Sequence, residues 1–140
     1  MDEKVLEVLS NKIKDDPYAR FLGIELMEIG KGYSMLKMSL KGNMMNFLGI
    51  AHGGAIFSLA DHAFAAASNS HGTLAVALNM NINYISAPPE NSVLVAKARE
   101  VSLTRRTASY RIDVSTDENK LVASCQGIVY RKKNPIPGMD

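Results

Sequence analysis

Asn46-Phe47-Leu48-Gly49-Ile50-Ala51-His52-Gly53-Gly54 runs straight into Ala55-Ile56-Phe57-Ser58-Leu59-Ala60-Asp61-His62-Ala63-Phe64-Ala65-Ala66-Ala67. The pair Gly53-Gly54 stands at the start of an almost wholly apolar helix, and a single carboxylate, Asp61, lies deep within it. Ile56, Leu59, Ala60, Ala63, Phe64, Ala65, Ala66 and Ala67 point in nearly every direction around the axis. A helix apolar all round is normally wrapped by protein on every side. The pattern therefore predicts a central helix and, within it, a buried acid. An unpaired buried carboxylate costs several kcal/mol, on the order expected for removing an ion from water, so Asp61 becomes the first functional candidate. The plainer readings are a tight turn at the glycines, a capping His52 and an Asp61 on a solvated stripe.

The cover for this helix is legible on both sides of it. Residues 24–29 and 33–40 read as two strands joined through Gly30-Lys31-Gly32, with Leu36, Met38 and Leu40 on one face. The helix is expected to stop near Asn69-Ser70-His71-Gly72, where glycine can end it. Beyond Gly72 the apolar period becomes two over residues 74–86, 92–103, 107–116 and 120–131, which predicts an antiparallel meander. Its breaks are Pro88-Pro89-Glu90-Asn91, Thr104-Arg105-Arg106 and Asp117-Glu118-Asn119. Ala108, Tyr110, Ile112 and Val114 alternate with Ser109, Arg111, Asp113 and Ser115, as in a sheet with one wet face. The economical architecture is α+β, a curved antiparallel sheet wrapped around the long helix. A short amphipathic helix over about 2–14, with Val5, Leu9 and Ile13 at spacing four, precedes it and is expected to end at Asp15-Asp16-Pro17.

The chain of 140 residues, with net charge +2 and 21% charged residues, is compatible with a single domain over 1–140. A chain of this length buries roughly two thirds of its unfolded surface, enough for a core without disulfides or metal. The charge is too balanced and scattered for a nucleic-acid partner. The N-terminus lacks the pattern of a signal peptide and no run reaches membrane-spanning length, so a cytoplasmic location without membrane attachment is expected. Cys125, the one cysteine, lies in an apolar strand and reads as core filling. His52, Asp61, His62 and His71 do not share one helix face, so no metal site is expected; His62 reads as a packed helix residue and His71 as a residue at the helix end.

Order β-β-α-β-β-β-β around a buried helix resembles the hotdog fold. Asn46-x-x-Gly49-x-x-His52-Gly53-Gly54, then Asp61, then Asn79-Met80-Asn81-Ile82-Asn83-Tyr84 resemble the PaaI-type acyl-CoA thioesterases, over roughly residues 23–131. The resemblance implies hydrolysis of acyl-CoA thioesters, aryl-acyl such as phenylacetyl or medium-chain fatty acyl, with coenzyme A as part of the substrate and no other cofactor. It implies a site at a homodimer interface and pairing of dimers into a homotetramer. Helix geometry agrees independently. His52 and Asp61 are nine residues apart, about 13 Å along one axis and about half a turn in direction, so one substrate atom cannot easily meet both within a chain.

In this scheme Asp61 activates water as general base or attacks directly, and the Gly53 N–H binds the carbonyl oxygen as it gains charge. Asn46 orients the carbonyl or the water, while His52 lies near the departing sulfur. Gly54, Phe47, Leu48, Phe57 and Phe64 are candidates for the substrate pocket, and Arg105 and Arg106 for the coenzyme A phosphates. Some relatives carry a Ser or Thr on the strand after the helix where this chain has Ala77. Ala77, Asn79, Asn81 and Asn83 read as one strand face, from which Asn79 could substitute or form an asparagine ladder. A non-enzymatic acyl-CoA binding or sensor protein on the same fold is the competing reading. A dehydratase is a weaker one, because no second acid or base accompanies Asp61.

Overall fold

The computed structural model describes residues 2–139. Helix α1 (Asp2–Asp15) buries Val5, Leu9 and Ile13 along one stripe and carries acids in its first turn and lysines in its last, matching the helix dipole. Asp16 and Pro17 do end it, but they also begin a helix that the sequence reading missed. Helix α2 (Pro17–Leu22) has Asp16 as its cap, the side chain accepting from the Ala19 N–H at 2.9 Å, and stops at Gly23 with φ 75°. Asp followed by Pro is a start signal as well as a stop, and six residues are too few to show a period.

Strands β1 (Glu25–Gly30) and β2 (Tyr33–Ser39) form the expected hairpin, and a loop with one 3-10 turn (Gly42–Met44) leads to α3 (Gly53–Ser68). Strands β3 (Thr73–Tyr84), β4 (Val93–Leu103), β5 (Thr107–Thr116) and β6 (Leu121–Pro135) complete a six-stranded antiparallel sheet of order β1-β2-β4-β5-β6-β3. The expected meander therefore holds only for β4, β5 and β6. β3 sits at the far edge beside β6, and β4 pairs with β2. Alternation reveals which face a residue occupies and is silent about which strand lies next door.

The core lies between α3 and the inner face of the sheet. Leu36, Met38, Leu94, Ala96, Tyr110, Ile112, Val114, Val122 and Val129 are buried against Leu59, Ala60, Ala63 and Phe64. Ser34, buried in β2, donates to the Ala63 carbonyl at 2.7 Å and so ties the helix to the sheet. The Phe64 ring meets Tyr110 edge-on, with centroids 5.8 Å apart, and rests directly on Gly127 of β6. A β-carbon at Gly127 would stand 2.6 Å from the ring, so glycine is what allows the helix this close. Cys125 is buried in β6, where burial first and the Asp113 charge second push its thiol up to about 11, in keeping with core filling.

Candidate active site

The helix is not wrapped on every side. The sheet covers one face and α1 and α2 lie against another, but Asp61 is exposed in the single chain, which corrects the expectation of a buried acid. The uncovered stripe runs through Phe57, Ser58, Asp61, His62 and Ala65, while Ala60, Ala63, Ala66 and Ala67 are fully buried, so the polar residues of the helix gather on one side of it. The surroundings of Asp61 nevertheless remove enough water to raise its carboxyl above the usual value of 3.8; the His62 charge opposes that rise and the Asp16 carboxylate adds to it.

His52 caps α3. Its Nδ1 accepts from the Gly54 N–H at 3.0 Å, which places the ring hydrogen on Nε2. A neutral ring in this tautomer has no second hydrogen, so surrendering the Nε2 proton to a leaving sulfur would create an anion. The Gly54 N–H is thereby occupied, whereas the Gly53 N–H donates to no group among the described residues. The Gly53 carbonyl accepts from the Tyr84 hydroxyl at 3.0 Å, and a β-carbon on Gly53 would approach that ring to 3.1 Å. Tyr84 thus braces the first turn of α3 with its one free amide facing outward, a role the sequence reading did not assign. The signal was present as the last residue of the quoted strand motif.

Asn46 organises the loop before the helix. Its Oδ1 accepts from the N–H groups of Leu48 at 2.9 Å and Ile50 at 3.2 Å, so the acceptor end of the amide is committed and only its N–H₂ remains for a substrate. The loop holds its apolar side chains in the open: Phe47 is 95% exposed and Leu48 66%. Phe64, expected in the substrate pocket, lies instead in the core against Tyr110, because the helix face that carries it points at the sheet.

Gly53 and Asp61 open onto different clefts. Gly53 lines one of about 410 Å³ with Ile50, Ile56, Tyr84 and Ile85, while Asp61 lines one of about 230 Å³ with Tyr18, Phe57, Ser58 and His62. The two histidines near the metal reading are engaged elsewhere: His62 Nε2 donates to the Ile13 carbonyl at 3.1 Å, and His71 Nε2 meets Glu100 at 2.7 Å.

A bulge at Leu78 separates residues that the sequence placed on one strand face. Ala77 pairs with the buried Val129 and Asn79 with the exposed Ile128, so Ala77 belongs to the inner side and Asn79, Asn81 and Asn83 to the outer. Asn81 Nδ2 does donate to Asn79 Oδ1 at 2.9 Å, the start of a ladder on an exposed edge strand. Arg105 and Arg106 lie in the β4–β5 turn, Arg106 donating to the Tyr130 hydroxyl at 3.1 Å. Along β6, Tyr130 is seven residues from Ala123, the partner of Tyr84, so this turn is about 23 Å from the Gly53 brace within one chain.

Residues 48–123 match the thioesterase superfamily. The acyl-coenzyme A thioesterase PaaI of Escherichia coli is 31% identical over 138 residues, covering 99% of both chains. Its solved structure superposes with a TM-score of 0.84 over 91% of this chain and 98% of that one. The phenylacetic acid degradation protein PaaI of Thermus thermophilus is 38% identical, with a TM-score of 0.81 over 84% of this chain and 100% of its own. A Streptococcus mutans protein solved with acetyl CoA bound is 27% identical, with a TM-score of 0.75 over 78% of this chain and 88% of its own. With its curved sheet, central helix and full-length similarity to a PaaI enzyme, the chain belongs to the thioesterase superfamily as a PaaI-type hotdog protein and is a thioester hydrolase.

Proposed function

We infer that the protein hydrolyses acyl-CoA thioesters at a site made by two subunits, the Gly53 end of one helix facing the Asp61 of the other. The observation that carries this reading is the unpaired Gly53 N–H at the positive end of α3, while Asp61, on the same helix, opens onto a different cleft. The exposed edge strand β3 and the open side chains of Phe47 and Leu48 supply surface that a second copy can cover.

The chemistry follows from these groups. The Gly53 N–H receives the carbonyl oxygen, and the Asn46 N–H₂ supplies a second donor to the carbonyl or the water. Asp61 takes a proton from water as the oxygen bonds to the acyl carbon, the C–S bond breaks, and the proton goes to the leaving thiolate. A carboxyl raised above its ordinary value is a better proton acceptor than a free one. Direct attack by Asp61, giving a mixed anhydride that water then opens, uses the same parts. His52 serves as the cap that holds Gly53 in place. Phe47, Leu48 and Phe57 provide apolar walls suited to aryl or medium-chain acyl groups, with a cytoplasmic homotetramer as the working assembly. Arg105 and Arg106 contact coenzyme A phosphates only if the nucleotide reaches the far sheet end of some subunit.

The test is release of free thiol from a panel of aryl- and fatty acyl-CoAs, with wild type and Asp61→Asn compared at a measured oligomeric state. Turnover in wild type that disappears in the variant is the expected result, and the best substrate sets the acyl class. Binding of acyl-CoA without turnover in wild type would instead favour a sensor.

A further inference from the structure

Helix α2 sets the Tyr18 hydroxyl against Ser58 of α3, in the cleft that Asp61 also lines, and the scheme above does not use this pair. Tyr18 Oη and Ser58 Oγ are 3.1 Å apart, and Ser58 Oγ donates to the Gly54 carbonyl at 2.8 Å. A serine hydroxyl has one hydrogen, and here it is committed to that carbonyl. Tyr18 must therefore donate into Ser58, which leaves its own oxygen with lone pairs only. Ser58 and Asp61 are three apart on α3 and so share a face. Tyr18, Ser58 and Asp61 line the same cavity of about 230 Å³, with Phe57 and His62 beside them. The cap at Asp16 fixes the start of the helix that carries Tyr18.

A water molecule that attacks a carbonyl carbon needs a lone pair aimed at that carbon. One acceptor fixes one of its hydrogens and leaves it free to swing; two acceptors fix both and turn a lone pair outward. The geometry points to Tyr18 as the second acceptor: a positioning residue, held by Ser58, that together with Asp61 orients the attacking water in the proposed thioester hydrolysis. The inference rests on the Asp61 reading and adds to it a residue from outside the helix and strand motifs. Tyr18 carries no charge in this role and takes no proton, so it acts on the placement of the water and leaves the titration of Asp61 as it is.

The experiment measures kcat, KM, the pH profile and the melting temperature of the full-length protein as wild type, Asp61→Asn, Tyr18→Phe and Ser58→Ala, with one acyl-CoA that wild type hydrolyses. Tyr18→Phe is expected to lower kcat about 10- to 100-fold, with KM and melting temperature nearly unchanged and the acid limb of the profile in its original place. Ser58→Ala frees the tyrosine hydrogen to compete for the water and is expected to lower kcat by a smaller factor in the same direction. Unchanged kcat in Tyr18→Phe, beside an inactive Asp61→Asn, overturns the inference and leaves the thioesterase reading standing. Wild type without turnover on any acyl-CoA overturns both.

Discussion

The two ends of α3 are finished in different ways. At its C-terminal end the polar side chains find partners inside the chain: Asn69 bridges Ala65 and Ala75, Ser70 links the Ala67 carbonyl to the Gly32 N–H, and Glu100 accepts from His71 and from the buried Tyr110. At its N-terminal end the Gly53 amide is unpaired and Phe47 is almost fully exposed, and midway along the helix Asp61 faces outward. Polar groups buried in a fold are matched within it, whereas an accessible amide or carboxylate is left to water or to a ligand. One end stabilises the fold, and the rest of the helix carries the groups proposed for its chemistry.

Substitutions should separate the two ends cleanly. The largest effect is expected from Asp61→Asn, which removes the proposed proton acceptor and should cut kcat about 10³- to 10⁴-fold in a thiol-release assay. Its stability should move the other way. A carboxyl whose folded value is raised loses stability as pH climbs from 3.8 through that raised value, so at neutral pH the neutral amide should melt at an equal or higher temperature. Wild-type activity should accordingly fall on the acid side with an apparent midpoint above the ordinary carboxylate value, read from kcat/KM against pH.

Gly53→Ala comes next. Its β-carbon meets Tyr84 and displaces the brace, and turnover should drop about 10- to 100-fold with the assembly intact by light scattering. At the closed end the readout changes from rate to stability. Gly127→Ala drives a methyl into the Phe64 ring and should cost about 1–3 kcal/mol by denaturant titration, while whatever folds keeps its kcat.

Tyr110→Phe should cost about 1 kcal/mol by removing one hydrogen bond to Glu100. Burial disfavours the Glu100 charge, but the His71 and Tyr110 hydrogen bonds and the charges of His71 and Arg131 more than offset that and hold its carboxyl below 4.5. Its contribution is complete above 4.5 and is lost as pH falls through the lowered folded value; Tyr110→Phe should shrink this acid-dependent part of the stability. The smallest effect is expected from Arg105→Ala and Arg106→Ala, exposed residues at the far sheet end, with KM for acyl-CoA moving less than about threefold unless a neighbouring subunit brings them to the nucleotide.

Much of the closed end was legible in the sequence. Leu36, Met38, Ala108, Tyr110, Ile112 and Val114 declared their faces by alternation, and Asn69 to Gly72 declared the helix stop, because local propensity and burial agree there. The open end was only half legible. Gly53 and Asp61 stood out as residue types in unusual company, yet the exposure of Asp61 depends on which flank of the helix the N-terminal segment covers. Tyr18 was invisible because its helix is too short to show a period. Ala77 was assigned to the wrong face because a bulge leaves no trace in an alternating pattern, and β3 to the wrong neighbour because pairing is a property of two distant segments.

The bulge itself bears on how the length of this chain can vary. Ala77 pairs with Val129 and Asn79 with Ile128, and those two partners are already consecutive in β6. Deleting Leu78 would therefore join two stretches of ladder that are both in place, moving no pair upstream or downstream and leaving Tyr84 at its bond to Gly53. Leu78 is a point where β3 can shorten by one residue without the chemistry at the other end of the strand registering the loss.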